Sequence, residues 1–154
     1  MNYNFDIANS YGTLSLSATK DEVLAVLGTP DEIKHYVDDF GLYSDELENT
    51  YFVYNSLGLT IGFNFDDDDQ YYSLSIQPNK LIYKRKDWFS LSKKTLLETI
   101  KAIYHEKQTE YDFNYEKTMY GNRAEEEYRF DAIGVILWFT NDELSNVSVS
   151  MPVV

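Results

Sequence analysis

Cysteine is absent from this sequence, and basic residues are few. Without cysteine the 154-residue chain can form no disulfide and has no thiolate for catalysis or metal binding. Its 13 lysines and arginines stand against 26 aspartates and glutamates, a formal net charge of −13. Nucleic-acid recognition rests on clustered cations, so we expect no nucleic-acid partner. Charge alone leaves two interpretations open, solubility or fast association with a basic protein.

Long apolar runs are also lacking. No stretch approaches the roughly 20 apolar residues that a membrane helix needs. The first residues, 1–6, show neither the basic region nor the apolar region of a signal peptide. These absences predict no membrane contact and a cytoplasmic location.

Tyrosine is abundant, with fourteen copies, and 44% of all residues are hydrophobic. That hydrophobic fraction is enough for a folded core, so disorder is not expected. Tyrosine packs well on half-buried strands and also supplies contact area at interfaces. The composition therefore indicates β structure first and binding second.

The chain resembles itself at an offset of 76 residues. Residues 52–63 align with residues 128–139, aromatic to aromatic and aliphatic to aliphatic, and Gly58 meets Gly134. An amphipathic helix pattern precedes each segment, with Thr19 and Ser92 as candidate N-caps. We therefore predict two tandem repeats of about 75 residues, 1–79 and 80–154, which share one continuous or closely packed sheet.

Strands are predicted from alternation and from turn residues. They cover 51–55, 58–65, 71–77, 126–131, 134–140 and 146–151, with a linking strand at 80–86 and an N-terminal strand at 3–7 or 12–16. Segment 111–115 alternates like a strand, and segment 31–40 is ambiguous between helix and strand. The expected fold class is α+β, an antiparallel sheet with helices packed on one face.

A family resemblance follows from residues 18–30, Ala-Thr-Lys-Asp-Glu-Val-Leu-Ala-Val-Leu-Gly-Thr-Pro, and the aromatic hairpin after them. This unit resembles the helix-Gly-Pro-hairpin of the small outer-membrane assembly lipoproteins of the SmpA/OmlA type. Two such units in tandem resemble the beta-lactamase inhibitory proteins, in which a concave sheet grips an enzyme. The resemblance implies a protein-binding sheet, and by analogy a bacterial toxin-immunity protein. The second half lacks the Gly-Pro stop, so its loops need not match.

Strand alternation predicts which side chains point away from the helices. Ile136 and Trp138 are large and apolar at positions where the first half has Thr60 and Gly62. Either the variable segments 105–125 and 31–48 cover them, or they form a binding patch. The residues predicted to bind the partner at this patch are Trp138, Ile136, Tyr51, Tyr71 and Arg129.

Acidic turns are predicted to form a charged rim around that patch. The run 66–69 lacks the spaced ligands and mid-loop glycine of a calcium loop, so a solvated loop is the expected state and no metal or other cofactor is predicted. The predicted rim residues are Asp66, Asp67, Asp68, Asp69, Asp142 and Glu143. Charges of this kind speed association more than they slow dissociation.

No catalytic motif occurs, neither a Ser-His-Asp order nor a Gly-rich phosphate loop nor a His-Glu-x-x-His pattern. We therefore expect no enzyme, but an acidic inhibitor that covers the active site of a basic protein, such as a bacterial nuclease toxin. Two alternatives stay open. One is a module that binds an apolar small molecule in a crevice of the sheet. The other is an enzyme built on spatially paired carboxylates, which a strongly raised carboxyl pKa would support.

Overall fold

The computed structural model of the chain describes residues 2–35, 50–65 and 71–152. The helices are α1, Lys20–Leu27, and α2, Lys93–Glu106. The strands, in chain order, are β1 Phe5–Asp6, β2 Ser10–Tyr11, β3 Leu14–Ser15, β4 Glu32–His35, β5 Thr50–Tyr54, β6 Leu59–Phe65, β7 Tyr71–Pro78, β8 Ile82–Tyr83, β9 Lys86–Asp87, β10 Asn114–Tyr120, β11 Arg123–Phe130, β12 Val135–Thr140 and β13 Glu143–Val149.

Eight of these strands form one antiparallel sheet. Their order is β10-β11-β12-β13-β7-β6-β5-β4, so that β10 and β4 are the two edges. The strands before and after residue 80 meet where β13 pairs with β7, with Val149 opposite Ile76. Two small sheets, β1-β2-β3 and β8-β9, complete the described part of the fold. The molecule is thus a mixed helix and sheet protein with antiparallel strands, as the alternation predicted.

Both predicted helix caps are present. The hydroxyl of Thr19 accepts from the backbone N–H of Glu22 at 3.2 Å, and the Glu22 carboxylate accepts in turn from that hydroxyl. Ser92 accepts from the N–H of Thr95 at 3.2 Å in the same way. Each cap satisfies an amide that the helix leaves without an internal partner. No helix within the described ranges combines the length and the hydropathy needed to cross a bilayer.

The helices lie on one face of the sheet. On α1, Lys20 Nζ sits 5.8 Å from the ring centre of Phe52 in β5. On α2, the ring of Tyr104 lies 6.3 Å from that of Phe130 in β11. The core-facing strand residues alternate with the outward-facing ones, as predicted. Those on β5, β6, β11, β12 and β13 include Phe52, Tyr54, Leu59, Ile61, Phe63, Tyr128, Phe130, Val135, Leu137, Phe139, Val147 and Val149, all buried.

Two glycine turns shape the sheet hairpins. A 3-10 turn at Asn55–Leu57 ends on Gly58 (φ 64°, ψ 38°), and one at Asp131–Ile133 ends on Gly134 (φ 67°, ψ 37°). Both glycines occupy the left-handed region that side chains rarely adopt. At Gly134 a Cβ would also stand 2.0 Å from the carbonyl oxygen of Ser150. This turn therefore requires glycine for two independent reasons.

Four predictions on strands need correction or completion. Segment 80–86 is not one linking strand, because Lys84 and Arg85 adopt left-handed φ of 48° and 69° and turn the chain into the β8-β9 hairpin. The strand predicted at 111–115 lies instead at Asn114–Tyr120. Near the N-terminus three short strands occur where one was predicted. Segment 31–40 contains strand β4, and its residues 36–40 lie outside the described ranges.

Candidate functional site

The sheet face opposite the helices, called the open face below, carries two large apolar side chains. On β12 burial alternates along Val135–Thr140, and the half-exposed members are Ile136, Trp138 and Thr140, of which the first two are large and apolar. The indole of Trp138 is held in place, since its Nε1–H donates to Glu127 Oε1 at 3.0 Å. Its orientation is therefore set by a side chain of the neighbouring strand β11.

Strand register brings carboxylates beside this indole. Glu116 on β10 lies opposite Glu127 on β11, and Glu127 lies opposite Trp138 on β12, which lies opposite Asn146 on β13. These four residues are called the central row. The flanking rows are Asn114, Arg129, Ile136 and Ser148 on one side, and Thr118, Glu125, Thr140 and Glu143 on the other.

The central row places like charges next to each other. Directly opposite carboxylates on antiparallel strands repel and destabilise the pair. Glu127 has one distant cation, Arg129, with its Nη2 at 3.9 Å. Arg123 pairs with Glu125 instead, with its Nε 3.3 Å from Glu125 Oε1. The three carboxylates of Glu116, Glu125 and Glu127 thus have Arg123 and Arg129 beside them on this face. The local net charge is therefore negative.

The helix-facing side of the same two strands is arranged differently. There Tyr115 pairs with Tyr128, with ring centres 4.8 Å apart, and Lys117 lies opposite Glu126. Aromatic and opposite-charge pairs of this kind stabilise a sheet. The sequence therefore gives complementary pairs to the face that supports the fold, and opposed carboxylates to the face that the helices leave bare.

A partly buried ion pair connects helix α2 to this part of the sheet. Lys93 Nζ donates to Glu126 Oε1 at 2.6 Å, and the hydroxyl of Tyr115 donates to Glu126 Oε2. Burial would raise the pKa of Glu126, but these two hydrogen bonds outweigh it and the pKa is lowered. Burial also disfavours the charge of Lys93, yet the hydrogen bonds to Glu126 and Asp142 raise its pKa. Both groups are held in their charged forms.

Two shallow depressions flank Trp138. One, of about 260 Å³, is lined by the amide and hydroxyl side chains of Gln77, Thr140, Ser145 and Asn146 and also by Glu125 and Glu126. The other, of about 190 Å³, is lined by Glu116, Thr118, Glu125 and Glu127. The indole thus forms a ridge between two polar hollows, both of which Glu125 and Glu126 also line.

The predicted partner-binding residues do not all lie together. Trp138, Ile136 and Arg129 are neighbours on β11 and β12. Tyr51 stands on β5, four strands away, or about 19 Å at the usual strand spacing. Its ring lies over Gly62, where a Cβ would come within 2.6 Å of Tyr51 Cε1. Tyr71 begins β7 beside the irregular pairing at Asn64 and Phe65. The structure therefore separates a Trp138 region from a Tyr51 region.

The predicted acidic rim is described in part. Residues 66–69, with Asp66, Asp67, Asp68 and Asp69, lie outside the described ranges. Asp142 turns toward the helix side, where its Oδ1 accepts from Lys93 Nζ at 3.2 Å. Glu143 is exposed at the end of a flanking row. Of these two, Glu143 is the one that adds charge to the open face.

The variable segment 105–125 does not lie over Trp138. Its first residues end α2, and Asn114–Tyr120 forms strand β10 beside β11, which extends the sheet instead of covering it. The described part of the other variable segment, 31–35, contributes the opposite edge strand β4. Glu116 enters the site through β10, and sequence reasoning missed it because its neighbours depend on the register between strands.

Within residues 2–35, 50–65 and 71–152, no three histidine or acidic side chains converge as a metal site would require. The buried carboxyl of Glu126 has a lowered pKa, the opposite of what a general acid needs. Comparison with known proteins adds no assignment, since no protein family, curated protein or solved structure matches the chain.

Proposed function

We propose that this chain is a non-enzymatic inhibitor that binds a basic protein through its open face, namely a cytoplasmic bacterial immunity protein that neutralises a cognate toxin. The observation that carries the proposal is the central row, with Glu116 and Glu127 opposed beside the half-exposed indole of Trp138. Opposed carboxylates beside a partly exposed aromatic ring destabilise the sheet, whereas they suit an interface with a cationic partner.

A cationic side chain from a partner would complete this row. Placed between Glu116 and Glu127, a lysine or arginine removes their repulsion and stacks against the indole, which favours cations over its face. The net charge of −13 draws such a partner from a distance. Nucleases fit this chemistry because their active sites are positive in order to hold phosphate. They form the partner class that we propose.

The tandem organisation belongs to the same proposal. Gly58 and Gly134 end similar turns with φ and ψ within a few degrees of each other. Strand order is also symmetric about the β7-β13 junction, with each half contributing four neighbouring strands. These features support two repeats, 1–79 and 80–154, that form one broad sheet. A broad sheet with helices behind it supports the analogy with the beta-lactamase inhibitory proteins.

The small-molecule alternative has less support. Drug-sized ligands occupy pockets of roughly 300–1,000 Å³ that enclose most of their surface. The two hollows beside Trp138 measure about 260 and 190 Å³ and open onto the sheet surface. A hollow of about 750 Å³ does occur near Lys93 and Asp142, but it lies at the start of α2 and not behind the indole.

The test is capture of the partner from the native host, first at low and then at high salt. We expect a basic protein that is released by salt, that is toxic when expressed alone, and that is tolerated when this chain is co-expressed. Trp138→Ala should weaken its binding about 30-fold or more. Glu116→Gln should slow association more than it speeds dissociation.

Val26→Ala is the matched control, because Val26 is an exposed apolar residue on α1, away from the open face. Its affinity should equal that of the wild type. Two results would refute the proposal. One is the recovery of no basic protein at either salt concentration. The other is a Trp138→Ala variant that binds the captured toxin as tightly as the Val26→Ala control.

A further inference from the structure

Strand β10 is an edge of the eight-stranded sheet with an unusually open surface. All seven of its residues, Asn114–Tyr120, are exposed. Within the described ranges it has a strand neighbour on one side only, β11. Its outer backbone N–H and C=O groups therefore face solvent along roughly 23 Å of strand. Such an edge is a template for another strand.

Apolar side chains concentrate at this edge. Seven large hydrophobic residues are exposed in the described part of the chain, and four of them fall within residues 113–120. Tyr115 is 47% exposed and Met119 56% exposed, both on the helix side of β10. Edges are normally protected by charged residues, proline or bulges. β10 has no proline, and its charged residues are Glu116 and Lys117, of which Lys117 faces Glu126.

We propose that β10 is a docking edge at which an extended segment of the basic partner adds as a ninth, antiparallel strand. This inference rests on the proposed function. The strand that the partner adds would enlarge the sheet and with it the open face. The added strand would continue the central row, with its own side chains next to Glu116 on the open side. Backbone hydrogen bonds along β10 would supply affinity, and the two faces would supply specificity.

The alternation of β10 defines the chemistry of the added strand. Residues next to Glu116 and Thr118 face a surface that already holds Glu125 and Glu127, so lysine or arginine is favoured there. Residues next to Tyr115 and Met119 face exposed apolar surface, so valine or isoleucine is favoured. The segment should therefore alternate basic and aliphatic residues, with period two.

A second copy of this chain is the competing occupant, and charge disfavours it. Antiparallel self-pairing centred on Glu116 would oppose two glutamates, and pairing centred on Lys117 would oppose two lysines. Pairing centred on Thr118 avoids both, but it brings the open-face carboxylates of the two sheets together. Each chain also carries a net charge of −13. A basic strand therefore fits the β10 edge better than a second copy of β10 does.

The probe is a synthetic peptide, Lys-Val-Lys-Thr-Lys-Val-Lys, titrated to about 1 mM into isotopically labelled full-length protein and followed by amide NMR. We expect saturable shifts of the amides of residues 114–120, and loss of those shifts at high salt. A peptide with glutamate in place of every lysine is expected to cause none.

Met119→Lys places a charge on the apolar side of the edge and should weaken peptide binding about tenfold or more. Val26→Lys adds the same charge to α1 and should leave binding unchanged. Chemical shifts elsewhere in each variant report whether the fold is intact. Sedimentation of the free protein should give a monomer. A dimer that Met119→Lys dissociates would overturn the proposal in favour of self-pairing.

Failure of this inference is distinguishable from failure of the proposed function. If the peptide shifts the indole N–H of Trp138 and leaves residues 114–120 unchanged, the edge proposal is wrong and the open-face proposal stands. If the captured toxin binds Met119→Lys as tightly as wild type but loses affinity for Trp138→Ala, the conclusion is the same. No shift of any amide at the highest peptide concentration overturns strand addition.

Discussion

Substitution of Lys93 by methionine tests whether α2 is fastened to the sheet by charge. Lys93 Nζ lies 2.6 Å from Glu126 Oε1, and the two side chains are 22% and 8% exposed. At an effective dielectric constant of about 20, unit charges at this distance attract by roughly 6 kcal/mol, and desolvation offsets a large part of that. Removing one partner of a buried pair costs about 3–5 kcal/mol. We expect about 3 kcal/mol, because Tyr115 still donates to Glu126.

Urea unfolding at neutral pH measures this loss directly, and the slope of the transition shows whether two-state behaviour is kept. Lys94→Met is the matched control, since Lys94 is exposed and the substitution should change stability by less than about 0.5 kcal/mol. Adding Glu126→Gln to Lys93→Met should restore part of the loss, because no buried charge then lacks its partner. A loss below about 1 kcal/mol in Lys93→Met would refute the reasoning.

The same pair predicts a pH dependence. The pKa of Glu126 is lowered in the folded state from its ordinary value of 4.5. The charged Glu126 therefore stabilises the folded state fully at a pH above the unfolded-state pKa, and this stabilisation is lost as the pH falls through the folded-state pKa. The difference in stability between wild type and Lys93→Met should therefore shrink as the pH falls below 4.5. A difference that stays constant down to the acid transition would show that Lys93 acts through packing and not through charge.

Two further substitutions test the local structure. Gly134→Ala should cost at least about 3 kcal/mol, since it adds a steric clash with the backbone to the cost of a left-handed φ, whereas Gly121→Ala should cost about 1 kcal/mol. Gly121 also has a positive φ, but no atom lies within 4 Å of the position that its Cβ would occupy, so its substitution adds no steric clash. Equal losses of stability in urea unfolding for the two variants would contradict this reasoning. Thr19→Ala should cost about 1 kcal/mol by removal of the N-cap, and an unchanged urea midpoint would mean that α1 does not depend on its cap.

Some parts of the fold follow from short-range sequence signals. Thr19 and Ser92 precede their helices by one residue, and each accepts from an amide three residues later, a rule that needs no tertiary information. Alternation between buried and half-exposed residues on β12 follows equally from period two. These signals are local, because each depends on the geometry of one helix turn or one strand.

Other parts depend on interactions that a sequence pattern does not contain. Every residue of Asn114–Tyr120 is exposed, so β10 has no alternation of burial that could reveal it. The Lys84-Arg85 turn needs left-handed φ at residues that rarely adopt it. Closeness of Glu116 to Glu127 depends on strand register, and the distance of Tyr51 from Trp138 depends on strand order. Both are properties of the assembled sheet.

The aromatic residues of the open face suggest how one sheet could carry two different surfaces. Tyr51 lies opposite Gly62 on β5 and β6, and 76 residues later Glu127 lies opposite Trp138 on β11 and β12. In the first pair the glycine lets the tyrosine ring lie across the sheet, so that this ring packs against the backbone of the neighbouring strand. In the second pair the glutamate binds the indole N–H and leaves the ring half-exposed as a ridge. A cation is attracted to an aromatic face that carboxylates surround, and only the second pair offers both groups. The binding surface that we propose is therefore centred on β10, β11 and β12, and not spread over the whole sheet.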